Sequence, residues 1–312
     1  MSAAGTTPGF SDMSAPSGEQ FELRHGDHVA VVTEVGASLR SYRLGDREVV
    51  DGFARDEIAD GGRGAVLMPW PNRLRDGQYE WDGVTHQLAI NEPALQNAIH
   101  GLVRWRNWTA LDESESSVLL GTRLAPMSGY PFALLLSIEY SLDDSGLTVS
   151  ARAENVGTGA CPYGVGFHPY VRVGERVDTA TLTIPAASAL SFDERQLPAG
   201  SKEIVGTELD FRAARQIGAA MLDDCFCDLA PDGDGRVRVT LAEGTASVSV
   251  WMGDGWPFVM VYTGDTLPPQ RRRQGIAIEP MSCAPNAFAT GDGLVRLEVG
   301  ETHVVGWGIE PR

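Results

Sequence analysis

A single glutamate in the chain has the local surroundings that a general base needs. Residues 275–281 read as an apolar strand in which Glu279 stands between Ile278 and Pro280. A carboxylate in such a position loses part of its hydration, which favours a raised pKa and the role of a proton acceptor. The same residue could equally be a buried partner of one of the arginines, and the residue types alone leave both interpretations open.

Two histidines stand at positions where the backbone is constrained. His168 is followed by Pro169, which biases the histidine to an extended conformation, and glycines nearby allow another group to approach closely. His100 is followed by Gly101 at the mouth of an apolar segment. Because histidine titrates near neutral pH, either residue could donate or accept a proton, although a lone histidine is more often structural.

Adjacent polar side chains that could bind a ligand occur at two further places. Asn72 and Arg73 follow two prolines that stiffen the backbone, and an amide next to a planar guanidinium suits the alternating hydroxyls of a pyranose. Asp223 and Asp224 precede an apolar stretch, and an extended chain would point one of them to each face of a sheet. Both motifs could also be ordinary surface turns.

The elements that must position these residues are predicted to be β-strands. From Phe21 onward, short stretches rich in Val, Leu, Ile, Thr, Tyr and Trp alternate with Gly, Asp and Pro turn residues. Asp82-Gly83 and the segment 143–146 have the chemistry of hairpin turns. The clearest predicted strands are 28–35, 38–44, 117–124, 134–142, 147–155, 237–241, 246–252 and 258–263.

The chain shows no internal linker and no repeat of fixed period, so residues 21–312 are predicted to form one domain, a β-sandwich or barrel. Residues 1–20 are rich in Ser, Gly, Ala and Pro and lack the features of a secretory signal. We therefore expect a disordered leader on a cytoplasmic protein. The only short helix predicted covers residues 211–216.

The charge balance limits the classes of partner. There are 25 Lys and Arg against 42 Asp and Glu, a formal charge of -17, which disfavours nucleic acid and membrane surfaces. The arginine run 271–273 is predicted to be a solvated loop. Four cysteines lack paired metal-ligand spacing, so reduced thiols and no metal site are expected; they are Cys161, Cys225, Cys227 and Cys283.

Taken together, the motifs resemble the ordered motif set of the aldose 1-epimerase (galactose mutarotase) family. The order is kept across about 200 residues, and the likeness extends from about Phe21 to Arg312. The resemblance implies an all-β fold, a large antiparallel β supersandwich with little helix, that works without a cofactor. The motifs are Asn72-Arg73, His100-Gly101, residues 166–170, Asp223 and Glu279-Pro280.

The resemblance also implies roles for individual residues. Glu279 matches the family's general base and His168 its general acid. Asp224 departs from the family, many of whose members place a histidine there, so which of Asp223 and Asp224 faces the cleft is open. Four further residues match positions that hold or polarise the sugar; they are His100, Asn72, Arg73 and Asp223. Of these, His100 is grouped with Glu279 and His168 as a catalytic residue.

The activity implied is interconversion of the α and β anomers of a free hexose such as galactose or glucose. A non-catalytic sugar-binding protein would suit the same aromatic and polar residues. A glycosidase would need two carboxylates, for which Asp223 and Glu279 are candidates. An epimerase for a phosphorylated sugar would need an anion site, for which the candidates are Arg104, Arg106 and the run 271–273.

Replacing Glu279 with glutamine tests the assigned base. The amide keeps hydrogen-bonding groups but cannot accept the proton, so we expect Glu279→Gln to abolish turnover while sugar still binds. Optical rotation of a freshly dissolved anomer measures turnover, and calorimetry measures binding. Near-normal turnover by the variant would refute the assignment.

Overall fold

Short strands joined by tight turns make up most of residues 15–312, the part of the chain that the computed structural model describes. The elements, in chain order, are β1 (Gln20–His25), β2 (His28–Thr33), β3 (Leu39–Leu44), β4 (Arg47–Glu48), β5 (Ala65–Leu67), β6 (Arg73–Arg75), β7 (Gln78–Trp81), β8 (Val84–Gln87), β9 (Asn97–Ile99), β10 (Thr109–Glu113), β11 (Ser117–Leu124), β12 (Leu134–Asp143), β13 (Gly146–Asn155), β14 (Cys161–Tyr163), β15 (Gly166–His168), β16 (Tyr170–Val171), β17 (Thr181–Thr183), β18 (Ala186–Phe192), β19 (Pro198–Glu203), β20 (Arg215–Gln216), β21 (Asp223–Leu229), β22 (Val237–Glu243), β23 (Ala246–Met252), β24 (Phe258–Tyr262), β25 (Ile276–Met281), α1 (Ala287–Thr290), β26 (Val295–Leu297) and β27 (Thr302–Pro311).

Two large antiparallel sheets dominate the architecture. The nine-stranded sheet has the order β10-β11-β12-β13-β27-β23-β22-β17-β20. The eight-stranded sheet has the order β19-β18-β21-β24-β25-β15-β5, with β16 also paired to β25. A four-stranded sheet, β1 to β4, and three two-stranded ribbons complete the fold. The predicted all-β antiparallel supersandwich is confirmed.

The core lies between the apolar faces of these sheets. Along β12, Leu136, Ile138 and Tyr140 are buried while the residues between them point outward, as the two-residue repeat of a strand requires. Phe167 of the eight-stranded sheet contacts Trp307 of the nine-stranded sheet, with ring centroids 5.0 Å apart. Each such buried side chain contributes about 1.5–3 kcal/mol, so this layer stabilises both sheets.

The strand predictions agree with the structure. The predicted strands 117–124 and 246–252 match β11 and β23 at both ends, and the other six differ by one or two residues at an end. Both predicted hairpins are present, since β7 pairs with β8 around Asp82-Gly83 and β12 pairs with β13 around residues 143–146. Local turn chemistry was therefore sufficient to place these connections.

The helix predicted for residues 211–216 is wrong. Arg215 and Gln216 form the edge strand β20 against β17, and the carbonyl of Phe211 accepts a hydrogen bond from the amide of Ile184. The Asp210 carboxylate accepts hydrogen bonds from two backbone amides, which fixes a turn instead of a helical start. Long-range pairing thus prevailed over the weak local preference for helix.

The prediction of a solvated loop for the run 271–273 is correct for Arg272, which is exposed in a turn, but it is wrong for Arg273, which is only 6% exposed. Its guanidinium forms ion pairs with Asp178 at 3.0 Å and Asp265 at 2.8 Å. Arg271 is partly exposed and forms an ion pair with Glu57 at 2.8 Å. These ion pairs therefore hold the connection between β24 and β25 against the rest of the fold.

The predicted leader falls mostly on residues 1–14, which lie outside the described residues. Within the described part, Ala15 and Ser17 are buried and β1 already begins at Gln20. The division into leader and single domain stays a prediction. All four cysteines are free and buried. Across residues 15–312, no helix has the length and apolar character needed to cross a membrane.

Neighbouring leucines on β12 test the assignment of core and surface. Leu136 is 2% exposed and Leu135 is 45% exposed. We expect Leu136→Ala to lower the free energy of unfolding by about 2–5 kcal/mol, because it leaves a cavity between the sheets. Leu135→Ala, the matched control, should change it by less than about 0.5 kcal/mol. Equal effects in urea unfolding would contradict the assignment.

Candidate active site

The antiparallel register of the eight-stranded sheet brings His168 and Glu279 together. Gly166 pairs with Met281 and Tyr170 pairs with Ala277, so His168 stands opposite Glu279 on the neighbouring strand. The His168 Nε2 atom lies 3.2 Å from Glu279 Oε1. The two side chains are 8% and 4% exposed, respectively, so the contact is almost fully removed from water.

The same register places Asp223 on the face of the sheet that carries this pair. Asp223 on β21 pairs with Tyr262 on β24, and Tyr262 pairs with Ala277 on β25. Glu279 lies two residues beyond Ala277 on the same strand. Side chains two residues apart on a strand share a face. Asp223 therefore faces the cleft and Asp224 does not, which decides the alternative that the sequence left open.

Two loops that are hydrogen-bonded to each other carry the remaining predicted residues. The amide of His100 donates to the carbonyl of Asn72 at 2.9 Å, and the amide of Leu102 donates to the carbonyl of Met68 at 2.7 Å. Gly101 fits only because it lacks a side chain, since a Cβ there would lie 2.1 Å from the Met68 oxygen. His100 is thereby brought to the ring of His168, with centroids 5.5 Å apart.

All six predicted site residues line one cavity of about 190 Å³. Aromatic and apolar side chains complete its wall, as is usual for a small-ligand site. The predicted residues in the wall are Asn72, Arg73, His100, His168, Asp223 and Glu279, and the others are Gly61, Ile99, Tyr170, Met260, Tyr262, Thr266 and Leu267.

Glu92 is a residue of the site that the sequence analysis missed. Its carboxylate accepts two hydrogen bonds from the Nε of Arg73, at 3.1 and 3.0 Å, and lies 3.0 Å from the same residue's Nη2. The Asn97 amide donates to Glu92 Oε2 at 3.0 Å and holds it in place. This bidentate contact fixes the plane of the Arg73 guanidinium at the cleft. No motif distinguishes Glu92 from the chain's other acidic residues.

Burial dominates the electrostatics of the His168 and Glu279 pair. Burial, followed by the charge of Arg104, lowers the pKa of His168 to about 3. Burial and then the Asp223 carboxylate raise the pKa of Glu279 well above its usual range, while Arg73 acts in the opposite direction. Burial in the cleft thus favours a neutral imidazole beside a protonated carboxyl group.

Two further titratable groups of the cleft, His100 and Asp223, are also shifted towards their neutral forms. Burial, then the proximity of His168, lowers the pKa of His100 well below its usual range. Asp223 is in contact with solvent at the cleft mouth, yet the protein around it removes enough hydration to raise its pKa, against the effect of Arg73. The cleft therefore disfavours added charge of either sign.

Three buried polar atoms of cleft residues have no hydrogen-bond partner within residues 15–312. They are Glu279 Oε2, His100 Nδ1 and His168 Nδ1. Leaving such atoms unpaired costs about 1–3 kcal/mol each, which a ligand with hydroxyl groups would recover. The arrangement can bind a polyhydroxylated molecule and exchange protons with it at the Glu279 and His168 pair.

Comparison with known proteins shows which family the chain resembles over nearly its whole length. The family described as aldose 1-epimerase matches residues 19–307. The chain is 37% identical over 289 residues to the uncharacterised protein YihR of Escherichia coli K12, covering 92% of this chain and 91% of YihR. It is 29% identical over 231 residues to the aldose 1-epimerase of the same strain, covering 67% and 66% of the two chains. Identity to human galactose mutarotase is 28% over 234 residues, covering 69% and 67%.

Solved structures share the fold over nearly the whole chain. The galactose 1-epimerase of Lactobacillus acidophilus NCFM superposes with a TM-score of 0.79 at 22% identity, covering 93% of each chain. A GalM/aldose epimerase homologue from C. elegans gives a TM-score of 0.82 at 16% identity, covering 94% of this chain and 98% of that one. At this identity the likeness concerns the fold alone.

The pKa of His168 predicts its behaviour in acid. Because burial disfavours the charged imidazolium, protonation should require a much lower pH than the ~6.5 of an ordinary histidine. We expect the ¹⁵N signals of the His168 ring to show a neutral imidazole from about pH 8 to pH 5, with His168→Asn identifying them. A titration midpoint between about 6 and 7 would contradict the assigned burial effect.

Proposed function

Because the chain belongs to the aldose 1-epimerase family, a family of isomerases, we propose that it interconverts the α and β anomers of a free aldose. Glu279 serves as the base and His168 as the acid. The observation that carries the proposal is the buried contact of 3.2 Å between His168 Nε2 and Glu279 Oε1 at the cleft. Binding alone does not call for such a pair, since a proton acceptor beside a proton donor is what ring opening requires.

The pair needs only one exchangeable proton for the reaction. Ordinary pKa values would place this proton on His168, opposite an ionised Glu279. Burial instead favours the neutral arrangement, with the proton on Glu279. Transfer along the contact between the two residues creates the charged form. Arg73 lowers the pKa of Glu279 and so supports the carboxylate that the first step uses.

In the ring-opening step, the Glu279 carboxylate removes the proton of the C1 hydroxyl and the His168 imidazolium protonates the ring oxygen O5. The C1–O5 bond breaks while the C1 carbonyl forms, and the pair is left as protonated Glu279 and neutral His168. This neutral form is the one that burial favours, so the site stabilises the pair that accompanies the open-chain aldehyde. Rotation about C1–C2 and the reverse transfers close the ring as the other anomer.

The remaining cleft residues bind the hydroxyls in this scheme. Arg73, held in one plane by Glu92, and Asn72 offer donors, while Asp223 offers acceptors at the cleft mouth. The unpaired Nδ1 of His100 supplies one more contact. Names of relatives such as galactose mutarotase make galactose and glucose the first substrates to examine.

A second candidate, an epimerase for a phosphorylated sugar, is favoured by one observation. Arg104 is half-buried and has no ion pair in the described part of the chain, and it lines a small cavity beside Gly62. The run 271–273 is a weaker candidate for a phosphate site, because Arg271 and Arg273 already form ion pairs with protein carboxylates. A phosphate would have to extend from the sugar cleft to Arg104.

Optical rotation of freshly dissolved α-galactose, α-glucose and glucose 6-phosphate separates these candidates. We expect the protein to speed relaxation of a neutral hexose to its usual equilibrium. Glu279→Gln should abolish the effect, while Glu139→Gln, the same change on an exposed part of β12, should leave it intact.

Acceleration restricted to the phosphorylated sugar would establish the second candidate instead. Binding of a hexose without acceleration of any of the three sugars would overturn both proposals in favour of a non-catalytic sugar-binding protein. Release of sugar from an aryl glycoside would point to the glycosidase alternative.

A further inference from the structure

A stack of three side chains lies behind the proton-transfer pair. The ring of His168 packs against the ring of Tyr170, with centroids 5.1 Å apart and planes inclined by 21°. Tyr170 also packs against Arg63, whose Cζ lies 4.9 Å from the centroid of the phenol ring. The reaction scheme assigns a step to neither Arg63 nor Tyr170, although both are almost fully buried.

Arg63 is fixed by carboxylates on two segments. It is 1% exposed, its Nη2 lies 3.0 Å from Asp51 Oδ2, and its Nη1 donates to the Asp60 carboxylate. The amide of Asp51 donates to the carbonyl of Tyr170 at 2.8 Å, so the guanidinium and the tyrosine share one support. A buried guanidinium is tolerated only when paired in this way, and the pairing leaves it little freedom.

The segment that carries Arg63 also encloses the histidine. The Tyr170 hydroxyl donates to the carbonyl of Gly61 at 3.0 Å, and the amide of Gly64 donates to the carbonyl of His168 at 3.0 Å. A Cβ on Gly62 would lie 2.8 Å from His168 Cδ2, so the backbone itself forms a wall against the imidazole. Residues 61–64 thus restrict both rings.

We propose that Arg63 and Tyr170 are positioning residues: the paired guanidinium orients the phenol ring, and the phenol ring holds the imidazole of His168 with Nε2 directed at Glu279. The inference rests on the proposed function and deepens it. The χ2 torsion of histidine is broad, so the ring needs such a wall to keep one orientation. A displacement of about 1 Å at a reacting group can cost about 100-fold in rate.

The stack also determines how readily His168 is protonated. The charged and titratable groups around its ring are Glu279, His100, Tyr170, Arg63 and Arg104. Burial and the two guanidinium charges lower the pKa of His168, so removing the stack or the Arg63 charge must raise it. A side chain that only stabilised the fold would not move this titration.

Two variants test the proposal. Tyr170→Leu removes the stacking ring. Arg63→Gln combined with Asp51→Asn removes the guanidinium without leaving Asp51 as an unpaired buried charge, and the partly exposed Asp60 remains solvated. Arg236→Gln is the matched control, because Arg236 also forms an ion pair, with Glu310 at 3.2 Å, and lies over a ring, that of Trp251, at 3.9 Å.

We expect both variants to lower kcat for mutarotation by about 10- to 100-fold, with KM changed by less than about threefold. The ¹⁵N titration midpoint of His168 should lie above that of the wild-type protein, and the acid limb of the pH profile of kcat/KM should move upward with it. The control should alter none of these. If Tyr170→Leu does not fold, the double variant decides the outcome alone.

An unchanged His168 titration with an unchanged pH profile in the folded variants would overturn the inference, even if stability fell. The NMR readout does not depend on turnover. If the wild-type protein fails to accelerate mutarotation, the proposed function fails, whereas the histidine titration still tests whether Arg63 and Tyr170 position and desolvate His168.

Discussion

The register between β15–β16 and β25 is the constraint on which the site depends. It places His168 directly opposite Glu279 and excludes water from their contact. A shift of one residue in either strand would turn one of the two side chains into the opposite face of the sheet. The register is itself secured by the apolar inner face, where Phe167 and Ile278 pack into the core between the large sheets. Core packing and acid–base chemistry therefore use opposite faces of the same strands.

Because the core and the cleft use opposite faces of these strands, the protein tolerates a site whose buried polar groups lower the free energy of unfolding. A buried carboxyl group, two buried histidines and unpaired polar atoms all reduce stability. Glu279 and His168 lie on one face of the eight-stranded sheet, while the nine-stranded sheet contributes an apolar layer to the core. The segments that carry Asn72, Arg73 and His100 are hydrogen-bonded to each other and to a neighbouring loop, so the cleft has a defined shape.

The electrostatics of the cleft follow from burial more than from any single charge. Burial is the first cause of the shifted pKa of Glu279, His168, His100 and Asp223 alike. In the proposed reaction one proton leaves O1 and one is added to O5, so a coupled pair that shares a single proton is more useful than two independent groups. Arg73 lowers the pKa of Glu279 and Arg63 lowers the pKa of His168. Each guanidinium is itself held by carboxylates.

The sequence by itself determined the strands, because the alternation of apolar and polar residues and the turn residues act locally. The types and order of the polar residues also pointed to the six that line the cleft, Glu279, His168, His100, Asn72, Arg73 and Asp223. It did not identify Glu92 or Arg63, since any of many acidic or basic residues could occupy those places and only long-range packing selects them. It misjudged residues 211–216 and Arg273 for the same reason, because distant backbone and carboxylate partners prevailed over local preference. Tertiary structure alone decided that Asp223 and not Asp224 faces the cleft, and that the neutral forms of His168 and Glu279 are favoured, because strand register and burial exist only in the folded chain.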